Sequence, residues 1–284
     1  MNKEQGPGML YLCATPIGNL EDVTMRVLRI LREADVIAAE DTRQSRKLLN
    51  HYEIKTPLVS YHEHNKREKT PVLVQRMLAG ETIALVTDAG TPAISDPGED
   101  LVRACHEALV PVTSLPGPSA VITALTLSGM PARCFTFEGF LPLDKKERLA
   151  VAQRFAQTTC TTVFYEAPHR LLKTLQFLLD TVGEEREIAV CKELTKKHET
   201  VLHATLGEAA AYFTKQEPKG EYVLVVKGAD AGEQKRQEQK KWQEMPLEEH
   251  MELYLKQGMT KKEAMKEVAK DRGVSKRDIY AELL

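Results

Sequence analysis

The stretch LVTDAGTPAISDPGEDLV, residues 85–102, constrains the fold more than any other. An apolar run, Ile83 to Val86, gives way to Asp88, Gly90, Pro92, Asp96, Pro97 and Gly98, and an amphipathic segment follows. That order reads as a buried strand, a loop under tight backbone control, and a helix. The pattern recurs. Met9 to Thr15 reads as a strand broken by Pro16-Ile17-Gly18-Asn19, and Val23, Val27, Ile30, Leu31 and Ala34 then repeat at helical spacing. Val36 to Ala39 runs into Glu40-Asp41-Thr42-Arg43, and Leu58 to Tyr61 is a short strand. Thr70 to Leu78 predicts a helix stopped by Gly80, and Leu101 to Leu109 another. Val112 to Leu115 leads through Pro116-Gly117-Pro118-Ser119 into a helix ending near Ser128. Strands alternating with helices imply βαβ units and a largely parallel sheet, whose ligands sit beyond the carboxyl ends of the strands. Four loops rich in Gly, Pro and acidic residues fall at that end: 16–19, 40–43, 88–98 and 116–119.

A second pattern begins near Phe135. Strand-like runs occupy 135–141, 161–167, 187–194, 199–206 and 221–228, with helices at 145–156, 168–181 and 207–214. No helix separates the third and fourth runs, so a hairpin and a mixed sheet are expected. With 284 residues the chain exceeds one ordinary core. The expected division is an N-terminal α/β domain over 1–120, a second over 121–228, a charged linker or solvated helix over 229–244, and a helix-turn-helix-like domain over 245–284. In the last, Thr260-x-x-Glu263 and Ser275-x-x-Asp278 read as helix starts, and Gly258 and Gly273 as stops.

A formal net charge of −2 means that a nucleic-acid partner would have to be met by a local basic patch. Residues 260–277 supply one, with seven Lys or Arg against three acidic residues. Cys13, Cys105, Cys134, Cys160 and Cys191 are scattered and odd in number, which predicts buried reduced thiols rather than disulfides or a zinc site. The N-terminal MNKEQGPG lacks the apolar core of a secretory signal, and the charge-free run from Ala108 to Ala132 is punctuated by Pro and Gly. A cytoplasmic protein with no membrane association is expected. No Walker loop, G-x-G-x-x-G turn, nucleophile elbow or H-E-x-x-H motif is present. His62-Glu63-His64 reads as a solvated loop, so no metal is expected. What remains suits a ligand held by carboxylates and backbone groups, and a sulfonium cofactor such as S-adenosylmethionine qualifies.

The strings TPIGNL (15–20), AEDTR (39–43), VTDAGTPAISDPG (86–98), LPGPSAVITAL (115–125), EGFLP (138–142), FYEAPHR (164–170), KELTKKHE (192–199) and GEYVLVVKG (220–228) resemble the tetrapyrrole-methylase superfamily, over about residues 9 to 228. Within it they resemble the enzymes that methylate a ribose 2′-hydroxyl of a cytidine in 16S ribosomal RNA, in the decoding region of the 30S subunit. The resemblance implies two α/β domains of the class III methyltransferase type plus a small C-terminal helical domain, S-adenosylmethionine between the α/β domains, and a homodimer. It implies cofactor contacts from Pro16, Gly18, Asp88, Gly90, Thr91, Ile94, Ser119, Ala120, Tyr165, Ala167, Tyr222 and Val223. Thr87 stands where the family pattern has Ser, and Asp144 interrupts a stretch that the pattern makes basic.

A ribose hydroxyl is a poor nucleophile until its proton is removed. A desolvated Lys or a carboxylate could take that proton, and Lys192, Glu193 and Glu166 are the candidates. Candidates for RNA phosphate contact are Arg43, Arg46, His169, Arg170 and Lys196 in the body, and Lys261, Lys262, Arg272, Lys276 and Arg277 in the tail. Two other readings stay open: a methyltransferase acting on a tetrapyrrole or corrin precursor, and a non-catalytic RNA-binding assembly factor.

Overall fold

A computed structural model describes residues 7–283. Its first sheet is wholly parallel, in the order β3-β2-β4-β1-β5, built from β1 (Leu10–Cys13), β2 (Val36–Ala39), β3 (Leu58–Ser60), β4 (Ile83–Val86) and β5 (Val112–Leu115). Strands β2 and β4 are buried along their whole length because helices cover both faces. On one face lie α1 (Met25–Glu33) and α2 (Thr42–His51), packed through Val27, Leu31 and Leu49 against Ile37, Ala84 and Leu115. On the other lie α3 (Lys66–Leu78) and α4 (Gly98–Glu107), packed through Leu73, Met77, Leu101 and Cys105 against Leu10, Val36 and Leu85. Neighbours β1 and β4 send their connections to opposite edges of the sheet, and the crevice at such a switch is where open α/β sheets hold ligands.

Three elements differ from expectation. Helix α2 falls in a stretch where only Leu48 and Leu49 are large and apolar, too few for a visible period. Helix α3 starts at Lys66 rather than Thr70, with Pro71 inside it at the cost of one main-chain bond. Helix α4 starts at Gly98 because the Asp96 carboxylate accepts from the Gly98 N–H at 2.8 Å.

Helix α5 (Ala120–Ser128) belongs by packing to the second sheet: Val121, Ala124 and Leu125 lie against Val163, Ala189, Cys191 and Val223. That sheet has the order β6-β7-β10-β8-β9, from β6 (Phe135–Phe140), β7 (Thr161–Glu166), β8 (Glu187–Lys192), β9 (Thr200–Thr205) and β10 (Tyr222–Val226). Only β6 and β7 run parallel, and β8 and β9 form the expected antiparallel pair. Its far face is covered by α6 (Lys145–Gln157), α7 (Leu171–Val182) and α8 (Leu206–Lys215).

The cysteines correct the reading of scattered reduced thiols. Cys134 and Cys160 are joined, with Cα atoms 5.3 Å apart. Each immediately precedes one strand of the parallel pair β6 and β7, whose first residues Phe135 and Thr161 are in register. Register therefore sets the two side by side within disulfide reach, which spacing along the chain does not reveal. Cys13, Cys105 and Cys191 are free and buried, and burial pushes the thiols of Cys13 and Cys191 up to about 12.

Beyond the second sheet, the stretch expected as a linker or solvated helix is helical: α9 (Ala231–Glu244). Three helices follow, α10 (Leu247–Lys256), α11 (Lys261–Arg272) and α12 (Lys276–Glu282), and the end of α9 packs against α10 and α11. Both expected capping boxes form, and Gly258 and Gly273 end their helices at positive φ. Between the helices lies a buried polar cluster. The indole of Trp242 stacks on His250 at 4.2 Å, and the His250 Nδ1 accepts from the Arg272 Nε at 3.3 Å. Asp271 bonds both His250 and Tyr254. Arg272 also donates to the Met245 carbonyl and is only 5% exposed, so it is a structural residue and not the RNA contact expected of it. Burial holds the His250 imidazole below its ordinary value, with Arg272 adding to the effect and Asp271 opposing it.

Trp242 is the single tryptophan, so its emission reports on this cluster alone. Arg272→Ala should shift that emission and destabilise the helical segment by about 2 kcal/mol or more, through lost charge-assisted hydrogen bonds. A lowered folded-state pKa means that the unfolded chain binds the extra proton first. Stability of this segment should therefore fall as pH drops below the ordinary imidazole value of 6.5. Urea titrations followed at the Trp242 emission, at pH 7.5 and pH 5.5, check both.

Candidate active site

The loop after β4 is built by its own residues. Thr15 and Gly90 exchange two main-chain hydrogen bonds of 2.9 Å, which fold the loop back onto the end of β1. Gly90 has φ +86, and a side chain there would press on Ile17 at 3.3 Å. Both carboxylates have structural partners. Asp88 accepts from the Asp41 N–H at 3.0 Å, tying the β4 loop to the β2 loop. Asp96 accepts from the Ala93 and Gly98 N–H groups and holds Ala93 at φ 67. The Thr87 hydroxyl donates to Glu40 at 2.6 Å, a bond that ties the end of β4 to the loop after β2.

These loops form one wall of a cleft of about 530 Å³. The other wall comes from the second sheet, with Phe140 from β6, Tyr165 to Pro168 at the end of β7, and Glu221 to Val223 at the start of β10. Strands β7 and β10 are antiparallel, so the end of one and the start of the other meet at the same edge. Phe137 and Phe140 flank the Tyr165 ring edge-on at 4.9 and 5.6 Å. Of the twelve expected cofactor residues the cleft gathers ten: Asp88, Gly90, Thr91, Ile94, Ser119, Ala120, Tyr165, Ala167, Tyr222 and Val223.

Pro16 and Gly18 do not line it. Gly18 instead lets the β1 loop touch the loop after β8: a Cβ there would lie 2.5 Å from the Lys196 Cγ and 2.8 Å from the Leu194 carbonyl. Ile17, Glu40 and Phe140, which are not among the expected contacts, also line the cleft. Each lies inside a motif string, so position was legible and orientation was not.

The three candidate bases are not brought together. Lys192 lines a separate cavity with Thr200, Tyr212 and Gln216. Glu193 turns to Lys196 at 2.9 Å and accepts from the Glu221 N–H at 2.9 Å. Only Glu166 reaches the cleft, and its carboxylate accepts from the Ala167 N–H and the Thr174 hydroxyl and pairs with Arg170 at 3.5 Å. Glu166 therefore positions Arg170 and the start of α7 from the cleft wall.

The cations expected to meet RNA divide in the same way. Arg43 is folded onto its own Asp41, whose carboxyl it holds at about 2. Lys196 is tied to Glu193 and Glu221. Arg170 donates to the Leu141 carbonyl at 2.6 Å. Arg46 and His169 are exposed. In the tail, Lys261, Lys262, Lys276 and Arg277 surround one open cavity with Met265 and Tyr280, and among the described residues none of the four has an acidic partner. No group of three or more His, Cys, Asp or Glu among the described residues is placed to hold a metal ion, and no helix there is long and apolar enough to cross a membrane.

Two α/β layers meeting across such a cleft define a class, and the family model of the tetrapyrrole (corrin/porphyrin) methylases matches residues 9–210. A crystal structure of uroporphyrin-III C-methyl transferase from Thermus thermophilus, complexed with S-adenyl homocysteine, superposes with a TM-score of 0.55 over 78% of this chain and 97% of that one; at 21% identity this shows the shared fold. Within the class, the chain is 50% identical over 273 residues to ribosomal RNA small subunit methyltransferase I of Halalkalibacterium halodurans, covering 96% of this chain and 93% of that protein. It is 45% identical over 279 residues to the protein of the same name from Bacillus subtilis, covering 98% and 95%. The chain thus belongs to the tetrapyrrole methylases, in their ribosomal RNA small subunit methyltransferase I family.

Burial alone would raise the Glu193 carboxyl, but the bonds from Lys196 and the Glu221 N–H and the nearby lysine charges bring it below the ordinary carboxylate value. A depressed folded-state pKa contributes stability above the unfolded value, and the contribution is lost as pH falls. Glu193→Gln should cost about 1–2 kcal/mol at pH 7. The difference from the parent protein should close as pH falls below 4.5, read as urea midpoints across that range.

Proposed function

We propose that the protein transfers a methyl group from S-adenosylmethionine to the ribose 2′-hydroxyl of a cytidine in 16S ribosomal RNA, on the 30S subunit and in the cytoplasm, and acts as a homodimer. The observation that carries the reading is the cleft itself. It gathers the loop ends of a ligand-binding parallel sheet and an aromatic edge of the second sheet, in a chain half identical to a ribosomal RNA methyltransferase over nearly its full length.

The lining fits the cofactor's chemistry. Carboxylates of Glu40, Asp88 and Asp96, which have no cationic partner among the described residues, favour a cationic sulfonium, and Gly90 admits close approach to its backbone. Ser119 and Ala120 open α5, and the Tyr165 ring offers a face for an adenine. Bound there, the cofactor supplies an electrophilic methyl group. The chain's part is to hold that methyl and the ribose oxygen in line, and alignment is worth at most about 7–11 kcal/mol of the barrier. A base adds about 10²–10⁴-fold. Of the candidates Lys192, Glu193 and Glu166, Glu166 is the one at the cleft, and its bonds to Thr174 and Ala167 support a positioning role for it. The tail cations Lys261, Lys262, Lys276 and Arg277, without an acidic partner among the described residues, suit an RNA backbone.

Purified protein is incubated with labelled S-adenosylmethionine and intact 30S subunits from a strain lacking the modification, and in parallel with free 16S rRNA and a tetrapyrrole precursor. Nucleoside analysis should find 2′-O-methylcytidine in the subunit reaction. Label in the precursor alone would establish the small-molecule reading instead, and absence of cofactor binding would leave an assembly factor. Gly90→Val crowds Ile17 and strains a positive-φ backbone, so calorimetry should show S-adenosylmethionine bound at least tenfold more weakly, with the fold retained.

A further inference from the structure

A second cavity, of about 450 Å³, lies behind the wall of the cleft. It is lined by Arg148 of α6, His169 and Arg170 of the turn before α7, and Lys173 of α7, with Leu141 and Phe177 among its apolar sides. Among the described residues no carboxylate lines it. Among the described residues Arg148, His169 and Lys173 make no ion pair, unlike Arg43 and Lys196. Arg148 is held by the Phe177 ring, 5.6 Å from its centroid. Arg170 is held by the Leu141 carbonyl and Glu166. The cavity also sits at the start of α7, where the helix adds partial positive charge. Two held guanidiniums, the Lys173 ammonium and the His169 imidazole around one hollow are suited to a phosphate.

Consecutive residues of the chain line the cleft and the cavity. Phe140 faces the cleft and Leu141 the cavity; Pro168 faces the cleft and His169 the cavity. Thr174 lines the cavity and donates its hydroxyl to Glu166, which lines the cleft. In RNA the 2′-oxygen and the 3′-phosphate are on adjacent ribose carbons, so a 2′-hydroxyl entering the cleft brings a phosphodiester to its rim. We propose that the Arg148–His169–Arg170–Lys173 cavity seats a backbone phosphate of the RNA strand whose ribose is methylated, and so sets the ribose against the cleft. This rests on the reading of the protein as an RNA ribose methyltransferase.

The test compares the protein with the double variant Arg148→Gln/Lys173→Gln, and with a charge-matched control, Lys55→Gln/Lys215→Gln, at exposed positions outside both pockets. Methyl transfer to unmodified 30S subunits is measured over a range of salt, and S-adenosylmethionine binding by calorimetry. The double variant should raise KM for subunits about tenfold or more and flatten the dependence of log KM on log salt by about 1, with cofactor affinity unchanged. The control should match the parent. A double variant with the parent's KM and salt slope overturns the phosphate site, as does equal weakening by the control. A parent protein that binds cofactor and methylates no RNA overturns the underlying reading, and that failure shows before any variant is made.

Discussion

Two hydrogen bonds between Thr15 and Gly90 hold the rest of the site in place. They join the end of β1 to the loop after β4, where the outgoing connections of those strands diverge, and so fix the floor of the crevice. Glycine is required because the chain turns at φ +86 with Ile17 close by. From that joint the other loops take their positions. Thr87 reaches Glu40, and Asp88 reaches the Asp41 N–H, so the end of β2 is fastened to the same frame.

The second sheet completes the cleft by a different principle. Its central strand β10 is antiparallel to both neighbours, so the start of β10 lies beside the ends of β7 and β8. Tyr165 and Val223 thus arrive together, and α5, which leaves the first sheet, buries Val121, Ala124 and Leu125 on that same face. One helix therefore couples the two walls. The contact of Gly18 with the 194–196 loop couples them again at the other side.

Charge is distributed by pairing. Many cations in the motif strings are neutralised by a neighbour: Arg43 by Asp41, Lys196 by Glu193 and Glu221, Arg170 by Glu166. Among the described residues, cations without an acidic partner include Arg148 and Lys173 in the hollow beside α7 and Lys261, Lys262, Lys276 and Arg277 on the open face of α11 and α12. A chain of net charge −2 can in this way present basic surfaces locally.

The elements of both sheets were legible in the sequence because buried strands are continuous apolar runs and the loops after them carry Gly, Pro and Asp. So were the loop residues of the cleft, from Asp88 to Ile94 and at Ser119 and Ala120, since the carboxyl end of a parallel sheet is where such loops must lie. Helix α2 escaped because two leucines make no period. Tertiary structure alone decided which motif residues face the cleft and which face away. Phe140 and Leu141 are neighbours in sequence and line different cavities. Cys134 and Cys160 meet only because β6 and β7 pair in parallel register. Arg272 looks like its basic neighbours until its burial against His250 is seen. Periodicity and turn chemistry are local and can be read along the chain, whereas register, close approach and ion pairing depend on residues distant in sequence, which only the folded chain brings together.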